Sequence, residues 1–176
     1  MKGTVVSGRP ISSEYAPYYD KYSSLVPETD LVLALETQLS PTLSFLRSIA
    51  ESKTGHRYAP EKWTVEQVLR HIVDSERVFA FRAFWFARAA ATELPGFEQD
   101  DFMRTSPTGV GLAHLTSEFE RLRQDHILFF ETLDPEAWRR TGTASGNPFT
   151  VRALASIMVG HVRHHEGILR DRYLKP

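Results

Sequence analysis

Apolar residues recur at intervals of three and four in four separate stretches of the chain, which is the spacing of one face of an α-helix. This pattern predicts helices over residues 30–53, 65–90, 112–133 and 150–173. The chain shows no convincing alternation of apolar and polar positions and no internal repeat. Four helices of roughly twenty residues each predict an all-α protein built as a four-helix bundle.

Turn and capping residues indicate where these helices begin and end. Thr64 and Gln67 have the spacing of a capping box at the start of the second helix. Gly55 is placed as a stop after the first helix. Pro41 lies inside the first helix, where proline removes an internal hydrogen bond, so a kink is expected there, or a break with Ser40 capping a second segment.

Two connections are candidates for shaping a site. Residues 94–110 form a long link that can cross one end of the bundle, and its length leaves room for a crossover in place of simple up-and-down topology. Residues 141–148 form a polar loop before the fourth helix. Residues 79–86, in the second half of the second helix, are apolar on more than one side, which predicts burial from several directions or a subunit contact.

The first 27 residues differ in composition from the rest. Residues 1–27 mix glycine, serine and proline with Tyr15, Tyr18, Tyr19 and Tyr22. This composition is typical of an arm that lies over a core without forming much of it, and we expect it to be only partly ordered. Residues 28–176 are expected to form a single domain, because a chain of 176 residues with 41% hydrophobic content supports one core.

Composition narrows the classes of function. The 21 basic and 22 acidic residues nearly cancel, so the net charge indicates neither a nucleic-acid partner nor a membrane-surface partner. No apolar run is long enough for a membrane span and no signal-peptide core is evident, so a cytoplasmic protein is expected. Because the chain has no cysteine, histidine and carboxylate must supply any metal ligands, and thiol chemistry would need an external thiol.

Three histidines lie within five residues of the fourth helix. At about 100° per residue around the helix axis, His161 and His165 straddle the centre of the apolar arc, whereas His164 falls on its rim. The same projection places His71 at the edge of the buried arc of the second helix. Neutral imidazoles from two helices suit a borderline divalent cation, and His71 is the natural third ligand.

Each of these residues also has an interpretation without a metal. A single buried histidine is more often hydrogen-bonded to a carboxylate or a carbonyl than bound to a metal. With two histidines on one buried face, the metal site and the hydrogen-bonded pair explain the pattern about equally well. Asp74 and Glu166 are candidates for orienting the imidazoles by hydrogen bonds. Each is explained at least as well as a solvated carboxylate on the surface. Three histidine ligands would leave coordination positions for water or substrate, the pattern of a catalytic metal site.

Segments in order along most of the chain resemble the DinB-like superfamily. They are Glu61-Lys-Trp-Thr-Val-Glu-Gln-Val-Leu-Arg-His71, Leu94-Pro-Gly-Phe-Glu-Gln-Asp, Thr141-Gly-Thr-Ala-Ser-Gly-Asn-Pro and Gly160-His161-Val-Arg-His-His165-Glu. The resemblance implies an antiparallel four-helix bundle, commonly a homodimer, with a divalent metal held by one histidine of the second helix and two of the fourth. On this chain those residues are His71, His161 and His165.

The resemblance also implies a class of reaction, since members of known activity use the metal to activate a low-molecular-weight thiol for S-transfer or isomerisation. We therefore expect a metal-dependent thiol S-transferase or hydrolase that acts on a small-molecule substrate with Zn²⁺ or Ni²⁺. The alternative is a noncatalytic stress-response bundle whose metal serves stability or dimerisation. A third option is a metal-free bundle that binds a small ligand or a protein.

Overall fold

The computed structural model describes residues 7–175 of the chain. Four long helices in it correspond to the four predicted ones: α2 (Leu31–Ser48), α3 (Val65–Ala87), α5 (Leu112–Glu131) and α7 (Val151–Ile168), the last extended by a π-helical turn over Leu169–Tyr173. Shorter elements connect them: α1 (Asp20–Ser23), α4 (Gln99–Thr105), α6 (Pro135–Arg139), β1 (Thr141–Ala144) and β2 (Asn147–Thr150). The predicted all-α four-helix bundle is confirmed.

Two pairs of long helices lie diagonally across the bundle: α2 opposite α3, and α5 opposite α7. Helix α2 packs against α5 and α7, and α3 packs against the same two helices. Gln38 of α2 donates a hydrogen bond to Val159 of α7, and Thr42, later in α2, donates one to Glu166, later in α7. Helices α2 and α7 therefore run parallel. His71 of α3 lies against His165 of α7, and Phe79, further along α3, lies against the earlier His161, so α3 runs antiparallel to α7. The consecutive helices α2 and α3 are therefore antiparallel to each other across a diagonal.

The parallel arrangement of α3 and α5 requires a long connection. Arg70 of α3 pairs with Glu118 of α5, and Glu76 pairs with Arg123 further along both helices. The chain must therefore return along the bundle between the end of α3 and the start of α5. Residues 94–110, whose length left room for a crossover, lie in this returning connection, and the segment carries the short helix α4 against α3.

Helix α2 is shorter than its apolar repeat predicted. It begins after Asp30, whose side chain accepts a hydrogen bond from the Leu33 amide at 3.0 Å. It runs without a break through Pro41, so of the two alternatives, a kink or a break with a Ser40 cap, the break is wrong. It ends at Ser48 because Ile49 has extended backbone angles.

Residues 141–150 form a β-hairpin where the sequence predicted a polar loop. Thr141 pairs with Thr150 and Ala144 with Asn147. Ser145 and Gly146 have φ angles of 53° and 71°, the two positive values of a tight hairpin turn. Strands of four residues are too short to show a reliable alternating pattern, which explains the error.

The N-terminal arm packs tightly on the bundle. Tyr15, Tyr22 and Val26 are buried in the same apolar cluster as α3 and α7, so the arm forms more of the core than its composition indicated. A Cβ atom on Gly160 of α7 would lie 2.0 Å from the Tyr22 carbonyl oxygen, so this contact requires glycine. Residues 1–6 of the predicted arm lie outside the described residues. Among residues 7–175, no helix combines the length and apolar character needed to cross a bilayer.

Candidate metal centre

Helices α3 and α7 are each fixed at their first turn by a side-chain cap. The predicted capping box is present: the Gln67 amide donates to Thr64 Oγ1 at 3.1 Å, and the Thr64 amide donates to Gln67 Oε1 at 2.8 Å. At the start of α7, Thr150 Oγ1 accepts from the Ala153 amide at 3.1 Å. These caps set where each helix begins, and helical geometry then fixes the direction of the histidines further along.

His71 of α3 meets His161 and His165 of α7 in the interior of the bundle. The Nε2 atoms of His71 and His161 lie 3.0 Å apart, and one ligand nitrogen from each of the three rings lies within 4.8 Å of the others. The exposed fractions of these residues are only 4%, 3% and 9%. His161 and His165 therefore point into the bundle, as helical geometry predicted.

The spacing of His71 and His161 and the buried Nε2 atom of His165 suit a divalent cation. Two nitrogens bound at about 2.0–2.1 Å to one ion lie about 2.8–3.4 Å apart when the angle at the ion is between a right angle and the tetrahedral value. The 3.0 Å separation of the His71 and His161 Nε2 atoms falls within this range. The Nε2 atom of His165 is buried without a hydrogen-bond partner among the described residues. An unsatisfied buried nitrogen is costly, and coordination of a cation by its lone pair would remove that cost.

Burial keeps these imidazoles neutral. It lowers the pKa of His71 to about 4 and that of His165 to about 2, and it holds the pKa of His161 well below the usual value for histidine. Repulsion between neighbouring positive charges adds to the effect of burial. At pH 7 all three rings therefore present the uncharged form that binds metals.

Aromatic and hydroxyl side chains surround the three rings. The centroid of Trp63 lies 5.0 Å from that of His71, and Tyr22 lies 5.1 Å from His161. Ser75 Oγ lies 3.5 Å from His71 Nδ1, at the limit of a hydrogen bond. His164 packs edge-on against Tyr22 and remains partly exposed at the rim, as its helical position predicted.

The two carboxylates considered for orienting the imidazoles bond elsewhere. Asp74 lies 3.6 Å from Arg77, on the side of α3 that faces α5. Glu166 accepts a hydrogen bond from Thr42 of α2. Within residues 7–175, neither carboxylate has a hydrogen bond to the three rings, and Ser75 makes the polar side-chain contact to His71 instead.

A cavity of about 370 Å³ opens onto His71 and His161. Its walls come from α3, α7, the arm, the crossover and the tip of the hairpin, so both connections predicted to shape an entrance contribute to it. The arm supplies Tyr18, Tyr19 and Tyr22; the crossover supplies Phe97, Glu98, Gln99 and Asp100; the hairpin supplies Ser145 and Asn147. A small molecule in this space would reach two of the three histidines.

The arm tyrosines were not among the candidate site residues deduced from the sequence. Their position depends on the close approach of α1 to Gly160, a contact between residues far apart in the chain. The available signal was the glycine itself, because glycine in a helix interior costs about 1 kcal/mol and often marks a close backbone contact.

A family model described as the DinB superfamily matches residues 34–169. The chain belongs to the DinB superfamily. Its fold resembles that of YfiT from Bacillus subtilis, with a TM-score of 0.67 and 17% sequence identity over 92% of this chain and 89% of that one. YfiT is described as "a probable metal-dependent hydrolase with an unusual four-helix bundle topology". No curated protein matches this DinB superfamily chain.

Proposed function

We propose that this protein is a metal-dependent enzyme whose His71, His161 and His165 hold a divalent cation, Zn²⁺ or Ni²⁺. One observation carries the proposal: three neutral imidazoles converge in the bundle at a place where a cavity reaches two of them. The Nε2 atom of the third, His165, has no hydrogen-bond partner within residues 7–175. The bound ion would lower the pKa of water or of a low-molecular-weight thiol, which supplies a nucleophile at neutral pH. The reaction class is therefore hydrolysis or S-transfer on a small-molecule substrate.

The side chains around the histidines have separate tasks in this proposal. Burial keeps the three rings uncharged, so they bind the ion without first losing protons. Trp63 and Tyr22 pack on the rings of His71 and His161 and hold their orientation. The cavity wall binds the substrate and excludes bulk water from the reacting atoms.

Access from the cavity favours catalysis over a purely structural metal. A structural site is closed by protein ligands, whereas three histidines leave positions open and the cavity reaches His71 and His161. The description of YfiT as a probable metal-dependent hydrolase is consistent with this assignment. We further propose a cytoplasmic location and, separately, a homodimer. The homodimer is supported by Phe84 of α3, which is 42% exposed.

Metal analysis of natively purified protein tests the site before any substrate is known. We expect one divalent ion per chain, loss of that ion in His161→Ala, and retention in the matched control His164→Ala, because His164 lies on the rim. Turnover is then assayed with esters, amides, and electrophiles combined with several thiols. Full metal content in His161→Ala would refute the proposed ligands, and turnover unaffected by metal removal would refute the catalytic role.

A further inference from the structure

A second feature of the bundle is a buried arginine without a counter-charge. Arg82 of α3 is only 2% exposed. Its Nη2 donates to the Pro95 carbonyl and to Ser145 Oγ, each at 3.0 Å, whereas Nη1 has no hydrogen-bond partner among the described residues. No carboxylate within residues 7–175 forms a salt bridge with it.

The neighbours of Arg82 leave its charge uncompensated. Burial lowers the pKa of Arg82, but guanidinium remains protonated in proteins. The hydroxyl of Tyr19 lies beside the guanidinium as a neutral polar neighbour. Burial raises the pKa of Tyr19 although Arg82 opposes this rise, so the phenol is uncharged at pH 7 and gives no negative charge. The ring of Phe97, 5.7 Å from the guanidinium carbon, offers only a weak cation–π contact. A buried cation in this state is costly, and an anion from outside would offset the cost.

Arg82 lines a cavity that none of the three histidines lines. This cavity, of about 320 Å³, lies between α3 and the crossover. Apolar side chains dominate its wall: Val78, Phe81, Leu94, Pro95, Phe97 and Phe102. Arg77 also lines it but is already paired with Glu118 and Asp74, and none of the described residues contributes a carboxylate to the wall. Its volume is at the lower end of ligand pockets, which span about 300–1,000 Å³.

We propose that this cavity binds a small carboxylate with an apolar body, whose negative charge is neutralised by Arg82. The apolar wall would bury the body of the ligand, and the guanidinium would give a charge-assisted hydrogen bond to its carboxylate. A neutral ligand of the same shape would leave Arg82 uncompensated. This cavity shares Phe97 with the wall of the histidine cavity, but none of the three histidines lines it, and the proposed binding does not depend on a bound metal.

Titration calorimetry with octanoate and octanamide on the full-length protein tests the charge requirement. We expect octanoate to bind about tenfold or more tightly than octanamide, because a hydrogen bond to a charged group is worth more than one to a neutral group. Arg82→Gln should reduce this ratio to about one. The matched control Arg77→Gln should preserve it, since Arg77 is already neutralised by acidic side chains.

A cavity-filling variant keeps the test independent of the folding of Arg82→Gln. Val78→Trp retains Arg82 and should weaken both ligands. Equal affinity for octanoate and octanamide, or no binding of either, would overturn the proposal. Repeating the titration after metal removal separates the two sites: unchanged octanoate binding supports the Arg82 cavity, and loss of binding would place the ligand on the metal and refute the inference.

Discussion

At the level of single residues, burial and spacing determine what the histidines can do. His161 and His165 are four residues apart, so they share a face of α7, whereas His164 is turned to the rim. This much followed from helical geometry and could be predicted from the sequence. The convergence of His71 on that face depends on how α3 packs against α7, which local periodicity does not determine.

Burial of neutral histidines makes the stability of the metal-free protein depend on pH. The pKa of His71 is about 4 in the folded protein, against an ordinary value of 6.5. Between these values the unfolded chain binds a proton that the folded chain does not, so the free energy of unfolding falls as the pH falls. We expect His71→Gln to reduce the loss between pH 7 and pH 5 by about 2 kcal/mol, measured by urea denaturation of metal-free protein.

His114→Gln is the control for this measurement, because His114 is exposed at the start of α5. We expect His71→Gln to reduce the loss of stability on acidification by more than this exposed-site variant does. An identical loss in His71→Gln would show that His71 does not contribute to the pH dependence.

At the level of elements, local sequence signals predicted the long helices better than they predicted the hairpin and the arm that pack on them. The capping box at Thr64 and Gln67 and the apolar repeat of α3 lie within one segment, so the sequence was sufficient to place them. The hairpin was missed because its strands are only four residues long. The packing of the arm on α7 could not be predicted either, because it depends on a backbone contact between Tyr22 and Gly160, which are far apart in the chain.

That contact between the arm and α7 predicts opposite effects for two glycines in one helix. In Gly160→Ala the new Cβ atom would meet the Tyr22 carbonyl oxygen at 2.0 Å, so α1 must move away from α7. We expect a loss of about 2 kcal/mol or more in stability, by analogy with overpacked cores. Gly167→Ala should be neutral or stabilising by up to about 1 kcal/mol, because nothing lies within 4 Å of its Cβ position.

Thermal and urea denaturation of both variants measure this difference. If Gly160→Ala were as stable as the parent protein, the arm would not be held against α7 as described. Proteolysis of the arm gives a second readout, since a displaced α1 should be cleaved faster in Gly160→Ala than in Gly167→Ala.

At the level of the whole molecule, one buried polar network joins all four long helices. Arg123 of α5 donates to both carboxylate oxygens of Glu76 of α3, at 2.6 and 2.9 Å, and to Gln38 of α2 at 2.7 Å. Gln38 in turn donates to the carbonyl of Val159 of α7 at 2.9 Å, two residues before His161. Sequence reasoning did not identify this network, because its members come from four separate segments and become neighbours only in the diagonal arrangement.

The network predicts a large effect from removing its negative charge. Burial alone would raise the pKa of Glu76, but Arg123 and His126 hold it at about 2, so the carboxylate is charged at pH 7. Glu76→Gln would leave Arg123 buried and uncompensated, and we expect the free energy of unfolding to fall by about 3–5 kcal/mol. Arg47→Gln, which breaks the exposed pair with Glu120 between α2 and α5, should cost less than about 1 kcal/mol.

Urea denaturation of a third variant separates the loss of a charge pair from the loss of packing. Replacing both Glu76 and Arg123 by leucine removes both charges together, so this double variant should be more stable than Glu76→Gln. If Glu76→Gln lost no more stability than Arg47→Gln, the network would not hold the four helices in their diagonal order. Metal affinity of the same variants would then show whether the position of α7, and with it His161, depends on this network.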